Sequence, residues 1–421
     1  MSDTLAILVG GGPAPGINGV IASATIEAIN RGLRVIGIYD GYRDLAAGTP
    51  PKIVELTIDA VANIHTSGGS ILRTSRTNPA KTDATLEHCV RALDDLGVRY
   101  LVCIGGDDTT FGAARIAERT RGRIGVATVP KTIDNDLPLP DNAPTFGFET
   151  ARSVGAAIIE SLLEDARTTT RWYIVVSMGR KAGSLALGMC KAAGATIAVI
   201  PEEFPGGELD LTIVIETLVG AIVKRRTQGR DHGVAVIAEG IVERVSADAL
   251  ASLENVARDA YGHVRLADVP IGALVRDGVR ERLEALGIEA TVLTKDIGYE
   301  LRCAKPVAFD VDYTRTLGYG AVRYLLGGGS GALIALSGGR VHPLRLEELL
   351  DPATGRIRTR NVDVHAEAFT VARDYMVRLE SGDLKEPSLS KLAAQTNLSP
   401  IEFAQQFERS VRATSLETAP T

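Results

Sequence analysis

Short, mostly apolar runs recur along this chain, and most stop abruptly at glycine, proline or a charged residue. Leu5–Val9, Val35–Tyr39, Tyr100–Ile104, Ile124–Val129, Trp172–Ser177, Ile197–Ile200, Val234–Ala238 and Ala332–Leu336 are the clearest. Apolar on both faces and only four to six residues long, they read as strands buried within parallel sheets. Between them lie longer segments with helical spacing, such as Ile17 to Arg31 and the amphipathic Leu86 to Leu96. This alternation predicts an α/β fold with mostly parallel sheets and covering helices. Near Gly298-Tyr299-Glu300-Leu301-Arg302 the chain is expected to cross back. No Pro/Ser-rich linker separates two halves, so the domains are expected to be interwoven. The polar stretch from about Leu384 to Thr421 is helix-prone. Its Pro387–Arg409 part is expected to form a helical hairpin packed on the surface, with a fraying Thr/Ser/Pro end.

Two predicted strands end in unusual chemistry. Tyr100–Ile104 runs into Gly105-Gly106-Asp107-Asp108-Thr109, and Ile124–Val129 into Pro130-Lys131-Thr132-Ile133-Asp134-Asn135-Asp136. The carboxyl edge of a parallel sheet is where open α/β folds bind ligands. Glycine admits a phosphate close to the backbone, and carboxylates hold a hard cation or accept a proton. The plain alternative is a pair of polar loops with solvated charges. Four carboxylates at two neighbouring strand ends would then repel one another with nothing to offset them. After Leu5–Val9, the loop Gly10-Gly11-Gly12-Pro13-Ala14-Pro15-Gly16 leads into a helix, an arrangement suited to an anion at the helix N-terminus. Its spacing matches neither of the common phosphate-loop patterns, and glycines at such turns often serve packing alone.

Composition narrows the function. With 421 residues, 45% apolar, the chain can build two α/β domains rather than one. Its 44 glycines against 5% aromatics predict many tight turns. A net charge of −6 argues against a nucleic-acid partner but not against a small phosphorylated substrate held by local cations. The four cysteines, Cys89, Cys103, Cys190 and Cys303, are widely spaced and read as buried free thiols. The six histidines lack metal-ligand spacing. The N-terminus has no basic-then-apolar signal, and no stretch reaches membrane-spanning length, so a cytoplasmic protein without a membrane partner is expected.

Several motifs in one order carry a resemblance. They are Gly11-Gly12-x-Ala14-Pro15-Gly16-x-Asn18, Tyr39-Asp40-Gly41-Tyr42, Gly68-Gly69-Ser70 with Arg76, and Gly105-Gly106-Asp107. Thr132-Ile133-Asp134-Asn135-Asp136, Met178-Gly179-Arg180, Glu239, and Gly298-Tyr299 with Arg302 complete the series. From about Leu5 to Met376 the chain resembles the 6-phosphofructokinases, a family with ATP- and pyrophosphate-dependent members. The resemblance implies two interwoven three-layer domains with the active site in the cleft between them, assembled as a homodimer or homotetramer. It places residues 1–148 with about 303–360 in a donor-phosphate domain. Residues 149–302 with about 361–380 would form a sugar-phosphate domain, and 381–421 a helical extension.

The resemblance also assigns roles. Asp134 would be the base that takes the C1 hydroxyl proton of fructose 6-phosphate. Asp107 would hold Mg²⁺, while Gly11, Gly12 and Arg76 would bind the donor phosphates. Thr132 and Asp136 would orient the sugar. Met178, Gly179, Arg180, Glu239, Tyr299 and Arg302 would bind it from the second domain. Arg171, seven residues before Met178, has the spacing of an arginine that reaches the 6-phosphate from a neighbouring subunit. ATP-dependent members usually carry glycine at the positions of Asp108 and Lys131, so the chain is similar to the pyrophosphate-dependent branch. Asp108 would stand where ATP's α-phosphate and nucleoside must pass, and Lys131 adds a cation for the donor and the transferring group.

Three departures from the family pattern qualify these roles. A second 6-phosphate arginine is replaced by Leu293, with Lys295 nearby. Cys303-Ala304-Lys305-Pro306 follows Arg302 where Gly-Gly is usual, which leaves sedoheptulose 7-phosphate as an alternative acceptor. Effector-binding arginines of the first helix are replaced by Ala22 and Ile26. An ATP-dependent enzyme is the remaining alternative for the donor. A catalytically silent regulatory subunit is disfavoured by the presence of Asp107, Asp134 and Asp136.

Overall fold

The computed structural model describes residues 3–204, 206–245, 269–349, 351 and 357–415. The expected fraying end, 416–421, lies outside them. The described strands are β1 (Thr4–Val9), β2 (Arg34–Ile38), β3 (Ile53–Glu55), β4 (Val98–Gly105), β5 (Gly125–Pro130), β6 (Trp172–Ser177), β7 (Ile197–Val199), β8 (Gly233–Ala238), β9 (Val292–Ile297), β10 (Ala332–Ser337) and β11 (Arg340–Arg345). The chain divides into two compact units. The first comprises Met1–Ala151 and Tyr299–Arg360, the second Arg152–Gly298 and Asn361–Thr421.

In the first unit the strands lie in the order β11-β10-β5-β4-β1-β2-β3. From β10 to β2 all pairs are parallel, whereas β3 and β11 close the edges antiparallel. Leu5, Ile7 and Val9 of β1 are fully buried. Removing each from water contributes about 1.5–3 kcal/mol. One face of the sheet is covered by the helices Ile17–Asn30 and Ala308–Leu326, which approach closely. A side chain at Gly318 would meet the Val20 carbonyl at 2.6 Å, so only glycine permits this helix contact.

The second unit carries a wholly parallel sheet in the order β7-β8-β6-β9. Its core takes in the C-terminal helix Pro400–Ala413, which begins with a capping box between Ser399 and Glu402 and has Pro400 in its first turn. Phe403, Phe407 and Val411 repeat at the spacing of one helix face. The two rings are fully buried, their centroids 4.6 Å apart. The segment expected as a surface hairpin is therefore part of the core. Among the described residues no helix is long and apolar enough to cross a membrane.

Three strands escape the search for apolar runs, and all are edge strands. β9 exposes Lys295 and Asp296, β11 carries Pro343, and β3 is three residues long. Cys89, Cys103 and Cys190 are buried, and burial pushes their thiols up to about 12. Cys303 departs from expectation. It follows the turn helix Tyr299–Arg302 and is exposed.

Candidate functional site

The first unit brings three strand ends to one level. Val9 pairs with Ile104, and Ile104 with Val129, so Gly10, Gly105 and Pro130 stand side by side. The chain leaves β1 for β2 on one flank and returns as β4 on the other. That reversal marks the carboxyl ends of β1 and β4 as a topological switch point, the usual ligand position in such sheets. Backbone pairing continues one step further, with Gly10 N–H donating to Ile104 O (2.9 Å) and Lys131 N–H to Gly105 O (3.0 Å). Thr109 packs into the notch. A side chain at Gly105 would collide with its Cβ at 2.3 Å, and one at Gly10 with its Oγ1 at 2.3 Å. These two glycines have a packing reason that needs no ligand.

Gly11 and Gly12 differ. Gly11 has φ +80°, and a Cβ there would stand 3.1 Å from Lys131 Nζ. Lys131 is 4% exposed, and its ammonium donates to the Gly12 carbonyl. A Cβ on Gly12 would lie 3.5 Å from Arg302 Cζ. Two cations thus meet the glycine loop. Gly11 N–H donates to Ser75 O (2.8 Å), which sets Arg76, an exposed residue, beside the same loop. Asp107 and Asp108 open the helix Asp107–Thr120 after Gly106, Asp107 half-buried and Asp108 exposed. Carboxylates in a first helical turn are favoured by the helix dipole, which accounts for part of their placement.

The segment after β5 is mostly irregular and is held by side chains. Lys131 bridges to Phe146, Thr145 Oγ1 donates to Thr132 O (2.7 Å), and Asp134 N–H donates to Thr132 Oγ1 (3.0 Å). Asp134 is 6% exposed, while Thr132 and Asp136 are half-buried. Asp310 supports the far end of this segment. Its carboxylate accepts from Gly147 N–H and Thr150 N–H (both 2.8 Å) and from Thr150 Oγ1 (2.6 Å). Burial raises its pKa, and these donors oppose the rise.

The second unit collects its candidate residues in the same way. Ser177 pairs with Ala238 on one side and Ile297 on the other, so Met178, Glu239 and Gly298 follow at one level. Glu239 Oε1 accepts from Gly179 N–H (3.0 Å) and Arg180 N–H (2.8 Å), which clamps the Met-Gly-Arg turn. Arg180 is exposed with φ +50°. Arg171 precedes β6 and is partly exposed, its Nε 3.9 Å from Asp165 Oδ2. Glu202 accepts from Gly183 N–H (2.9 Å), where the helix Ser184–Ala193 begins, and from Val362 N–H (3.1 Å). Burial raises its pKa, and those two backbone donors oppose the rise.

Of the residues singled out from sequence, Gly11, Gly12, Arg76, Asp107, Asp108, Lys131, Thr132, Asp134 and Asp136 belong to the first unit. Arg171, Met178, Gly179, Arg180 and Glu239 belong to the second. Tyr299 and Arg302, expected with the second, group with the first because the chain has already crossed back after Gly298. Tyr299 is 79% exposed, with the Arg302 guanidinium 5.3 Å from its ring centroid. One residue that sequence reasoning missed is Arg360, which grips the Asp134 loop from 225 positions away.

Residues 4–325 match the family described as "Phosphofructokinase". The chain belongs to the phosphofructokinase family. Among curated relatives of this phosphofructokinase is the pyrophosphate–fructose 6-phosphate 1-phosphotransferase of Thermotoga maritima. It is 53% identical over 413 residues, covering 97% of this chain and 98% of that protein. The protein of the same name from Naegleria fowleri is 50% identical over 415 residues, covering 96% of this chain and 95% of its own. The crystal structure of a pyrophosphate-dependent phosphofructokinase from Nitrosospira multiformis superposes with a TM-score of 0.68 at 15% identity. It covers 94% of this chain and 92% of that one, a likeness of fold.

Proposed function

We propose that this phosphofructokinase transfers a phosphoryl group from pyrophosphate to the C1 hydroxyl of fructose 6-phosphate, giving fructose 1,6-bisphosphate and phosphate. The observation that carries the reading is Lys131, buried against Gly11 and Gly12, together with Asp108 at the neighbouring helix start. The names of the relatives at 53% and 50% identity agree with it. Incubation with fructose 6-phosphate, Mg²⁺ and pyrophosphate should yield one phosphate per fructose 1,6-bisphosphate. The reverse reaction should run from fructose 1,6-bisphosphate and phosphate. Absence of product in both directions would contradict the assignment.

Phosphoryl transfer asks for positioning and charge neutralisation more than for covalent chemistry. Lys131, Arg76 and the loop Gly11-Gly12 hold the donor phosphates, and Asp108 repels the bulkier, more charged ATP. Asp134 takes the C1 hydroxyl proton, with Thr132 and Asp136 orienting the sugar. Met178, Gly179, Arg180, Glu239, Tyr299 and Arg302 bind the sugar phosphate. Mg²⁺ is typically held by one or two carboxylates plus substrate phosphates, and Asp107 supplies a hard oxygen donor of that kind. Among the described residues no group of three His, Cys, Asp or Glu could hold an ion by itself.

The enzyme acts in the cytoplasm, in glycolysis, as a homodimer or homotetramer. In that assembly Arg171 reaches the 6-phosphate of the adjacent subunit's substrate. Arg171→Ala should raise the KM for fructose 6-phosphate far more than that for pyrophosphate. After subunit exchange, mixtures of Arg171→Ala and Asp134→Ala chains should regain activity. No recovery after verified exchange would put both residues in one chain's site. A small cavity lies along Ala22, Ser23, Ile26, His65, Arg315 and Tyr319, where the first helix carries no arginine. The fructose 6-phosphate saturation curve should therefore be hyperbolic, and a sigmoidal curve relieved by ADP would contradict this.

A further inference from the structure

We propose that Arg360 is a positioning residue for the general base. Its guanidinium holds the loop that presents Asp134 in the geometry needed to accept a proton. This inference rests on the phosphotransferase reading of Asp134.

Four hydrogen bonds carry the proposal. Arg360 Nε donates to Asn135 O (3.0 Å), Nη1 to Ala143 O (2.9 Å) and Nη2 to Asn135 Oδ1. Its own backbone N–H donates to Asp136 O (2.8 Å). One residue therefore grips both positions that follow Asp134 and ties them to Ala143 on the returning arm of the loop. The fork geometry matters, because three nitrogens in one plane meet three acceptors set in different directions.

Asn135 is where rigidity is needed. It adopts φ +57°, a left-handed conformation that Asn tolerates better than most residues. Its Oδ1 also accepts from Thr145 N–H (3.1 Å). Fixing the Asn135 side chain and the peptide that leaves it holds residue 135 in place, which restrains the backbone of Asp134 immediately before it and so the direction of the Asp134 side chain. Side-chain bonds also hold the loop before Asn135, where Asp134 N–H donates to Thr132 Oγ1 and Thr145 Oγ1 to Thr132 O, and the loop's shape depends on bonds of this kind. Apart from the turn Pro140–Asn142 it has no regular structure between β5 and the helix starting at Phe148. Burial draws the Arg360 guanidinium below its ordinary pKa, while Asp136 and then Tyr313 oppose that fall. The cation is thus retained in a half-buried position at a cost, beside one of the two carboxylates that flank Asn135.

A misplacement of about 1 Å at a reacting group can cost on the order of 10²-fold in rate. Arg360→Ala should accordingly lower kcat by roughly 10- to 100-fold, with both KM values within about threefold of wild type. Millimolar guanidinium should restore part of kcat in this variant in a saturable manner, and should not do so in Asp134→Asn. Arg360→Lys should recover less than guanidinium, since an ammonium cannot serve three divergent acceptors. Arg358→Ala is the matched control, because that guanidinium bonds the Glu348 carbonyl instead. Hydrogen exchange supplies a readout that does not depend on activity. Amides of residues 132–146 should exchange faster in Arg360→Ala while those of β4 and β5 stay protected.

Unchanged exchange in 132–146 would overturn the proposal whatever the activity. So would a kcat within about twofold of wild type in a folded Arg360→Ala protein. A wild-type protein that transfers no phosphoryl group would instead refute the functional reading, and the exchange experiment would still decide whether Arg360 anchors the loop.

Discussion

Replacing Asp134 by Asn is expected to lower turnover with pyrophosphate by about 10²- to 10⁴-fold, the usual worth of a general base. The substitution is nearly isosteric. The backbone N–H of residue 134 keeps its bond to Thr132 Oγ1, and the buried pocket keeps its shape. What is lost is the ability to take the acceptor proton. Fructose 6-phosphate should bind much as before, so kcat and kcat/KM should fall together. Steady-state rates, with a binding isotherm for the sugar phosphate, measure both quantities. Near-normal turnover in Asp134→Asn would remove the residue from the role of base. A weakened binding constant with unchanged kcat would make it a substrate ligand instead.

Lys131→Met should be almost as damaging, through charge rather than proton transfer. Methionine fills the buried stem with similar volume but carries no cation to the glycine loop. If Lys131 stabilises charge on the transferring group, its loss should raise the barrier by about 2.7–4 kcal/mol, or roughly 10²- to 10³-fold in kcat. Lys131 also donates to the Gly12 carbonyl, so some thermal stability will be lost with that bond. The two effects separate by measurement. A melting temperature reports the structural part, and kcat of the folded fraction reports the catalytic part. Turnover within about threefold of wild type would show that the ammonium serves the loop alone.

How far the sequence revealed this depends on what each residue answers to. β1, β4, β5, β6 and β8 are buried on both faces, so their composition alone marks them. β3, β9 and β11 lie at sheet edges, where polar residues and proline are tolerated, and an apolar-run criterion passes over them. The acidic and glycine-rich strand ends were legible because a parallel sheet delivers successive loops to one edge. Which glycines serve packing was not. Gly10 and Gly105 make room for Thr109, and Gly11 and Gly12 face Lys131 and Arg302, distinctions that need coordinates. Arg360 carried no signal. It lies in an irregular stretch far along the chain, and its meaning comes entirely from the loop it closes on. The C-terminal segment reads from sequence as polar and packed on the surface, a reading that passes over its stripe at Phe403, Phe407 and Val411. Only packing revealed that the stripe completes a core.

The donor is the centre of this account, and one comparison tests it. Initial rates of fructose 1,6-bisphosphate formation should be measured with pyrophosphate and with ATP at equal concentration, for wild type and for Asp108→Gly. Wild type should use pyrophosphate and scarcely use ATP. Asp108→Gly should shift the ratio toward ATP by relieving repulsion at the start of the helix Asp107–Thr120. A wild-type enzyme that prefers ATP, or a donor ratio unmoved by Asp108→Gly, would contradict this.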